Sequence, residues 1–135
     1  MNESISHMNL VSSILKWLKN KENLENLLVL ADLPSFLGDS KPPAIEGYYP
    51  DVWAKEVRSG FVAIGEAKTA RDIENRHSTE QFGAFLRYCN ALESAVLVVA
   101  VPWMMVNCAK AHIRRIKKNT NTQAVNVVFL AMLPA

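Results

Sequence analysis

Cysteine is scarce in this chain: Cys89 and Cys108 are the two in 135 residues. Two thiols so far apart do not make a zinc site, and each falls at an apolar-periodic position of a predicted helix, as a buried free thiol does. Glycine is also low, at 5 residues, and no G-x-x-x-x-G-K pattern occurs. That speaks against an NTP-driven enzyme and a nucleotide cofactor. Long hydrophobic runs are lacking. The longest, Ala95 to Val106, contains Pro102 and falls short of the ~20 residues a bilayer span needs. The first apolar stretch is helical in period and broken by Lys16 and Lys19, so no secretory signal is read. A cytoplasmic protein without a membrane partner is expected. An excess of charge of one sign is missing too. Lys and Arg number 15 against 13 Asp and Glu, a net charge of +2, so bulk charge does not mark a nucleic-acid binder.

What is present is an ordinary globular balance, 50% hydrophobic and 21% charged. The length suits a single domain, residues 1–135, with no internal repeat or low-complexity segment. Met8, Val11, Ile14, Leu15 and Leu18 form a helical stripe, with Ser6 as its N-cap. Leu27–Leu30 reads as a short strand, and 39–47, rich in proline and glycine, as a loop. Strands are expected over Tyr48–Lys55 and Gly60–Thr69, joined by a turn around Arg58-Ser59-Gly60. Ser78 opens a helix with Phe82, Phe85, Leu86, Cys89 and Leu92 on its apolar face. Ala95–Val101 is a β-branched run that suits a strand buried on both faces. A helix carrying Met105, Ala109, Ile113 and Ile116 follows, and Val125–Met132 closes as a strand. The order, α-β-β-β-α-β-α-β, predicts an α/β fold: a mixed sheet with helices on both faces.

The chemistry is concentrated in two short segments. Val62, Ile64, Glu66 and Lys68 alternate with Phe61, Ala63, Gly65 and Ala67, so Glu66 and Lys68 share one face of a strand. A carboxylate and an ammonium at the tip of an apolar strand face are costly to bury unless something uses them. If Pro50-Asp51 lies on the neighbouring antiparallel strand, Asp51 stands beside Glu66. Two oxygen ligands then converge with a lysine, which suits a magnesium ion holding a phosphodiester. The competing reading is a solvated edge strand with an intra-face ion pair; Val62 and Ile64 on the same face argue against it.

Pro50-Asp51 with Glu66-Ala67-Lys68 resembles the PD-(D/E)xK, or restriction-endonuclease-like, nuclease superfamily. The order αβββαβ with a trailing helix and strand is similar to that family's core. The resemblance implies that Asp51, Glu66 and the Ala67 carbonyl hold Mg2+, with Mn2+ as a possible substitute, and that Lys68 supports the transition state. It also implies that Gln81, in Gln81-Phe82-Gly83-Ala84-Phe85, reaches the active site. Ser78-Thr79-Glu80-Gln81 is equally a capping box in which Gln81 bonds back to the Ser78 amide, and both readings stand. Related enzymes add a first-helix glutamate; Glu22 and Glu25 are the candidates, with solvated helix-end residues as the plainer reading.

Arg71, Arg76 and His77 follow the motif and are expected at DNA phosphates, with Asp72 and Glu74 facing solvent or pairing with Arg71 and Arg76. Lys110, Arg114 and Lys117 follow Asn107 in a polar stripe beside Arg115 and Lys118. That stripe is either a second phosphate-contacting surface or an ordinary solvated helix face. Trp53 shares a face with Asp51 and is expected in the core, with base stacking as the alternative. The expected activity is a metal-dependent DNA endonuclease, resembling either small Holliday junction resolvases or restriction- and phage-type enzymes. A homodimer follows from the resolvase resemblance. The alternative is a catalytically silent module of the same fold that binds nucleic acid or protein.

Overall fold

The computed structural model describes residues 5–21, 26–32 and 41–133. Its elements run α1 (Ile5–Asn20), β1 (Leu27–Ala31), β2 (Val52–Glu56), β3 (Val62–Ala67), α2 (Arg76–Asn90), β4 (Ala95–Pro102), α3 (Val106–Thr120) and β5 (Asn126–Met132), with a 3-10 turn at Trp103–Met105 before α3. This is the order read from the hydrophobic periodicity. The strands form one open sheet in chain order, antiparallel across β1-β2-β3 and parallel across β3-β4-β5. Among the described residues no helix is long and apolar enough to cross a membrane.

Both parallel connections are helical crossovers that step the same way across the sheet. Right-handed crossovers therefore place α2 and α3 on one face. Phe82, Phe85, Leu86, Ile113 and Ile116 pack there against Ile64, Leu97, Val99 and Val101. The other face belongs to α1, whose Leu10, Val11, Ile14 and Leu18 pack on Ala54, Ala63, Ala67, Val96, Val98 and Ala100. Strand β4 is thus covered on both sides, as its unbroken apolar run requires. The α1 face is built of small residues, so the helix sits close. A Cβ on Gly65 would stand 2.7 Å from Ile14 Cγ2 and 3.0 Å from Val52 Cβ.

Several local expectations are corrected. Helix α1 already includes Ile5, so Ser6 lies inside it rather than capping it. Strand β2 begins at Val52, because the preceding residues form a separate tight turn: Ile45 and Tyr48 exchange backbone hydrogen bonds around Glu46 and Gly47, both at positive φ. Strand β3 is shorter than predicted, although Lys68 N–H still bonds the Ala100 carbonyl at 3.0 Å. The turn between β2 and β3 is held by the Glu56 carboxylate, which accepts Ser59 N–H at 2.7 Å and Asn26 N–H at 3.2 Å. Helix α2 starts before Ser78. Its cap is Asn75, whose side chain accepts Ser78 N–H at 2.8 Å, so the capping box around Gln81 does not form. Cys89 is buried as expected, but Cys108 is half-exposed and donates to Glu74. The N-terminal part of the predicted 39–47 loop lies outside the described residues.

Candidate active site at the end of the sheet

In the β2–β3 ladder Val52 faces Gly65, so the next step brings Asp51 opposite Glu66. Regular pairing ends there and side chains replace it. Asp51 N–H donates to Glu66 Oε1 at 3.2 Å, and Ala67 N–H donates to Asp51 Oδ2 at 2.9 Å. Each carboxylate thus closes on the other strand's backbone, which fixes both at one point. An extended residue points its N–H and C=O the same way, so the Ala67 carbonyl opens toward Asp51 as well.

Lys68 comes from the same strand face as Glu66. Its Nζ is 2.9 Å from Glu66 Oε2 and 2.6 Å from Gln81 Oε1. Gln81 is buried on α2, aimed at the sheet. Its partner is the lysine and not the Ser78 amide, which Asn75 takes. Lys68 and Glu66 side chains are only 10% and 3% exposed. Burial, and next the Asp51 carboxylate, push the Glu66 carboxyl up to about 8 against the opposing pull of Lys68.

His7 was missed by the sequence reading. Its Nε2 lies 3.3 Å from Asp51 Oδ2. The signal was available: His7, Val11, Ile14 and Leu18 stand at i, i+4, i+7 and i+11, so the histidine extends the buried stripe by one turn. The close seating of α1 against Gly65 carries that stripe over the sheet end. Glu22 and Glu25, the first-helix candidates, lie outside the described residues.

These donors fit a hard divalent cation. Two carboxylates are held on neighbouring backbone amides at one sheet end, and burial first and Asp51 next raise the proton affinity of Glu66. Among the described residues no three His, Cys, Asp or Glu side chains form a metal cage. Magnesium is characteristically held by one or two carboxylates together with water and substrate phosphate. Asp51, Glu66 and Ala67 are the residues that would hold it.

The basic residues expected at DNA phosphates are exposed, half-buried or have other partners. Arg71 is exposed in the turn after β3. Arg76 pairs with Glu80 at 3.0 Å, and exposed His77 sits edge-on to Tyr48. Lys110 and Arg114 are exposed on α3, Lys110 lying 5.9 Å from the Phe129 ring centre. Lys117 is half-buried, and burial lowers its pKa. Glu74 pairs with Arg115 rather than Arg71 or Arg76, since α3 crosses next to the turn that carries it. Asp72 accepts the Thr69 hydroxyl at 3.2 Å. Trp53 packs against the core, its indole N–H donating to Tyr88 at 3.3 Å. Two surface grooves, one between α1 and β5 and one among α2, α3 and the 46–48 turn, contain none of Asp51, Glu66 and Lys68.

No protein-family model, curated protein or solved structure matches this chain.

Proposed function

We propose that this chain is a divalent-metal-dependent nuclease of the PD-(D/E)xK type, with a restriction-endonuclease-like core, hydrolysing phosphodiester bonds in DNA. The observation that carries the reading is the pair of side-chain bonds between the strands, Asp51 N–H to Glu66 and Ala67 N–H to Asp51, with Lys68 beside Glu66 at the same sheet end. The antiparallel-then-parallel sheet with α1 on one face and the crossover helices on the other also supports it. When bound, Mg2+ or Mn2+ would polarise the scissile phosphate and acidify a water for attack.

The side chains have separable roles. Asp51 and Glu66 supply negative charge to bind the cation. Lys68 holds positive charge where the phosphate becomes more negative in the transition state. Gln81 accepts a hydrogen bond from the Lys68 ammonium and so fixes its direction. His7 buttresses Asp51 from α1. The resolvase resemblance adds a homodimer to the proposal, which light scattering of the purified chain tests.

The direct test is incubation with branched, duplex and single-stranded DNA in magnesium, manganese or EDTA. Cleavage in either metal that stops in EDTA is expected. Nucleic-acid binding without cleavage in any metal would favour the silent module instead.

A further inference from the structure

Large apolar side chains left exposed on a folded chain are informative when they gather at one place. Tyr49, Trp103, Met104 and Leu133 are 65%, 50%, 64% and 74% exposed, and with Leu28 and Val57 they are the exposed large apolar side chains among the described residues. The sheet topology brings those four together. Strand β2 runs antiparallel to β3, so the residues entering β2 lie at the end where β3 finishes. Strands β4 and β5 run parallel to β3, so the residues leaving them reach that same end. It is the end that carries Asp51, Glu66 and Lys68. Val57, leaving β2, lies at the opposite end.

Two exposed aromatics lie at this end, next to the two neighbours of β3: Tyr49 before β2 and Trp103 after β4. Tyr49 is two residues before Asp51, held by the buried Pro50 between them. Trp103 is three residues past Ala100, whose carbonyl accepts Lys68 N–H at 3.0 Å. The chain's reach limits these separations to about 7 and 11 Å from Asp51 and Ala100. In sheet order β2-β3-β4 the sequence across the rim is therefore Tyr49, the carboxylates and lysine, then Trp103. Exposed Arg71, four residues past the end of β3, adds positive charge on this side.

We infer that Tyr49 and Trp103 are stacking platforms for unpaired bases on either side of the scissile phosphate, so the substrate class is nucleic acid with unpaired nucleotides at the cut. The inference rests on the nuclease reading for the place of the phosphate, and specifies what that site accepts. A strand crossing the rim sets its backbone over β3 and turns a base toward each ring. A duplex hides its base faces within its own stack, whereas a single strand, flap or junction presents them. Met104 and Leu133 extend the apolar surface beyond Trp103.

The experiment measures anisotropy of a labelled oligothymidylate and of a mixed-sequence duplex of equal length, with the full chain in EDTA. Trp103→Ala and Tyr49→Ala should each weaken single-strand binding about tenfold, with duplex affinity moving no more than about twofold. Trp103→Phe should retain most of the affinity but lose part of the tryptophan quenching seen with wild type. Equal losses on both nucleic acids, or unchanged single-strand affinity, overturn the inference. Cleavage assays of the wild-type chain in magnesium, run alongside, separate the two readings. Cleavage by wild type together with unchanged single-strand affinity in Trp103→Ala rejects stacking and keeps the nuclease. Selective single-strand losses without any metal-dependent cleavage reject the nuclease and keep stacking.

Discussion

Lys68 Nζ lies 2.9 Å from the Glu66 carboxylate, and both side chains are almost wholly buried at the end of β3. Removing one partner of such a pair leaves the other charge uncompensated in a dry site. Lys68 therefore does two jobs. It offsets the repulsion between Glu66 and Asp51 once Glu66 is ionised in the metal-free protein, and in the proposed nuclease it would hold positive charge beside the phosphate.

Asp51→Asn and Glu66→Gln should each lower metal-dependent cleavage on the order of 10²-fold or more, because a ligand charge disappears where charge stabilisation is largest. Neither creates a cavity, so circular dichroism should match wild type. Undiminished cleavage by either variant refutes the assignment of the metal site.

Stability of the metal-free protein should depend on Glu66. Its carboxyl is raised from 4.5 to about 8 by burial and by Asp51. With the folded pKa above the unfolded one, this contribution is whole below about pH 4.5 and is lost as pH rises through about 8, a change on the order of a few kcal/mol. Thermal melts in EDTA should show midpoints falling from pH 6 to pH 9, and a smaller fall in Glu66→Gln. Magnesium should raise the midpoint more at pH 9 than at pH 6, since cation and proton compete for the same oxygens. A midpoint independent of pH in this window would sink the burial argument.

Lys68→Ala should retain magnesium binding but lose turnover, since its charge acts on the transition state. Gln81→Leu removes the acceptor 2.6 Å from Lys68 Nζ and should reduce kcat by about tenfold with KM nearly unchanged. A Gln81 variant changing KM alone would move this residue from positioning the lysine to binding substrate.

Gly65→Ala tests the seating of α1. The added Cβ meets Ile14 at 2.7 Å and Val52 at 3.0 Å, an overpacking that should cost about 1–3 kcal/mol. Because α1 also carries His7, activity should fall by more than the loss of folded protein accounts for. Denaturant melts and cleavage rates measured on the same preparation decide it; a melt equal to wild type shows that the helix moves aside freely.

The loop and helix cations should act through phosphate. Arg71→Ala/Arg76→Ala should flatten the dependence of log affinity on log salt by roughly one unit per lost contact, and by more than Arg114→Ala/Lys117→Ala. Base preference should not change. Arg76 is held by Glu80, so Arg71 should account for most of the effect. An unchanged slope in the first pair removes that loop from the interface.

Much of the fold was legible in periodicity. The order of elements, the doubly covered β4 and the stripe on α1 each follow from spacing, because a helix repeats every 3.6 residues and a strand every two. Boundaries were less so. The start of α2 was misread because both Asn75 and Ser78 are capping residue types, and Asn75 is selected only by where its oxygen meets the Ser78 amide. The role of Gln81 could not be separated from a capping box by spacing alone. Its observed partner, Lys68, lies on another element.

By itself the sequence determined that Glu66 and Lys68 share a face, since alternation along an extended backbone is a local property of two residues. It also set Asp51 apart as a charged residue entering the preceding strand. Tertiary structure alone decided that Glu66 accepts the Asp51 amide while Asp51 accepts the Ala67 amide, that His7 on α1 reaches Asp51, and that Tyr49 and Trp103 lie at the same end of the sheet. These are contacts between segments far apart in the chain, selected by strand register, by the direction of the crossovers and by how closely a helix can approach a glycine. Local periodicity carries none of that information.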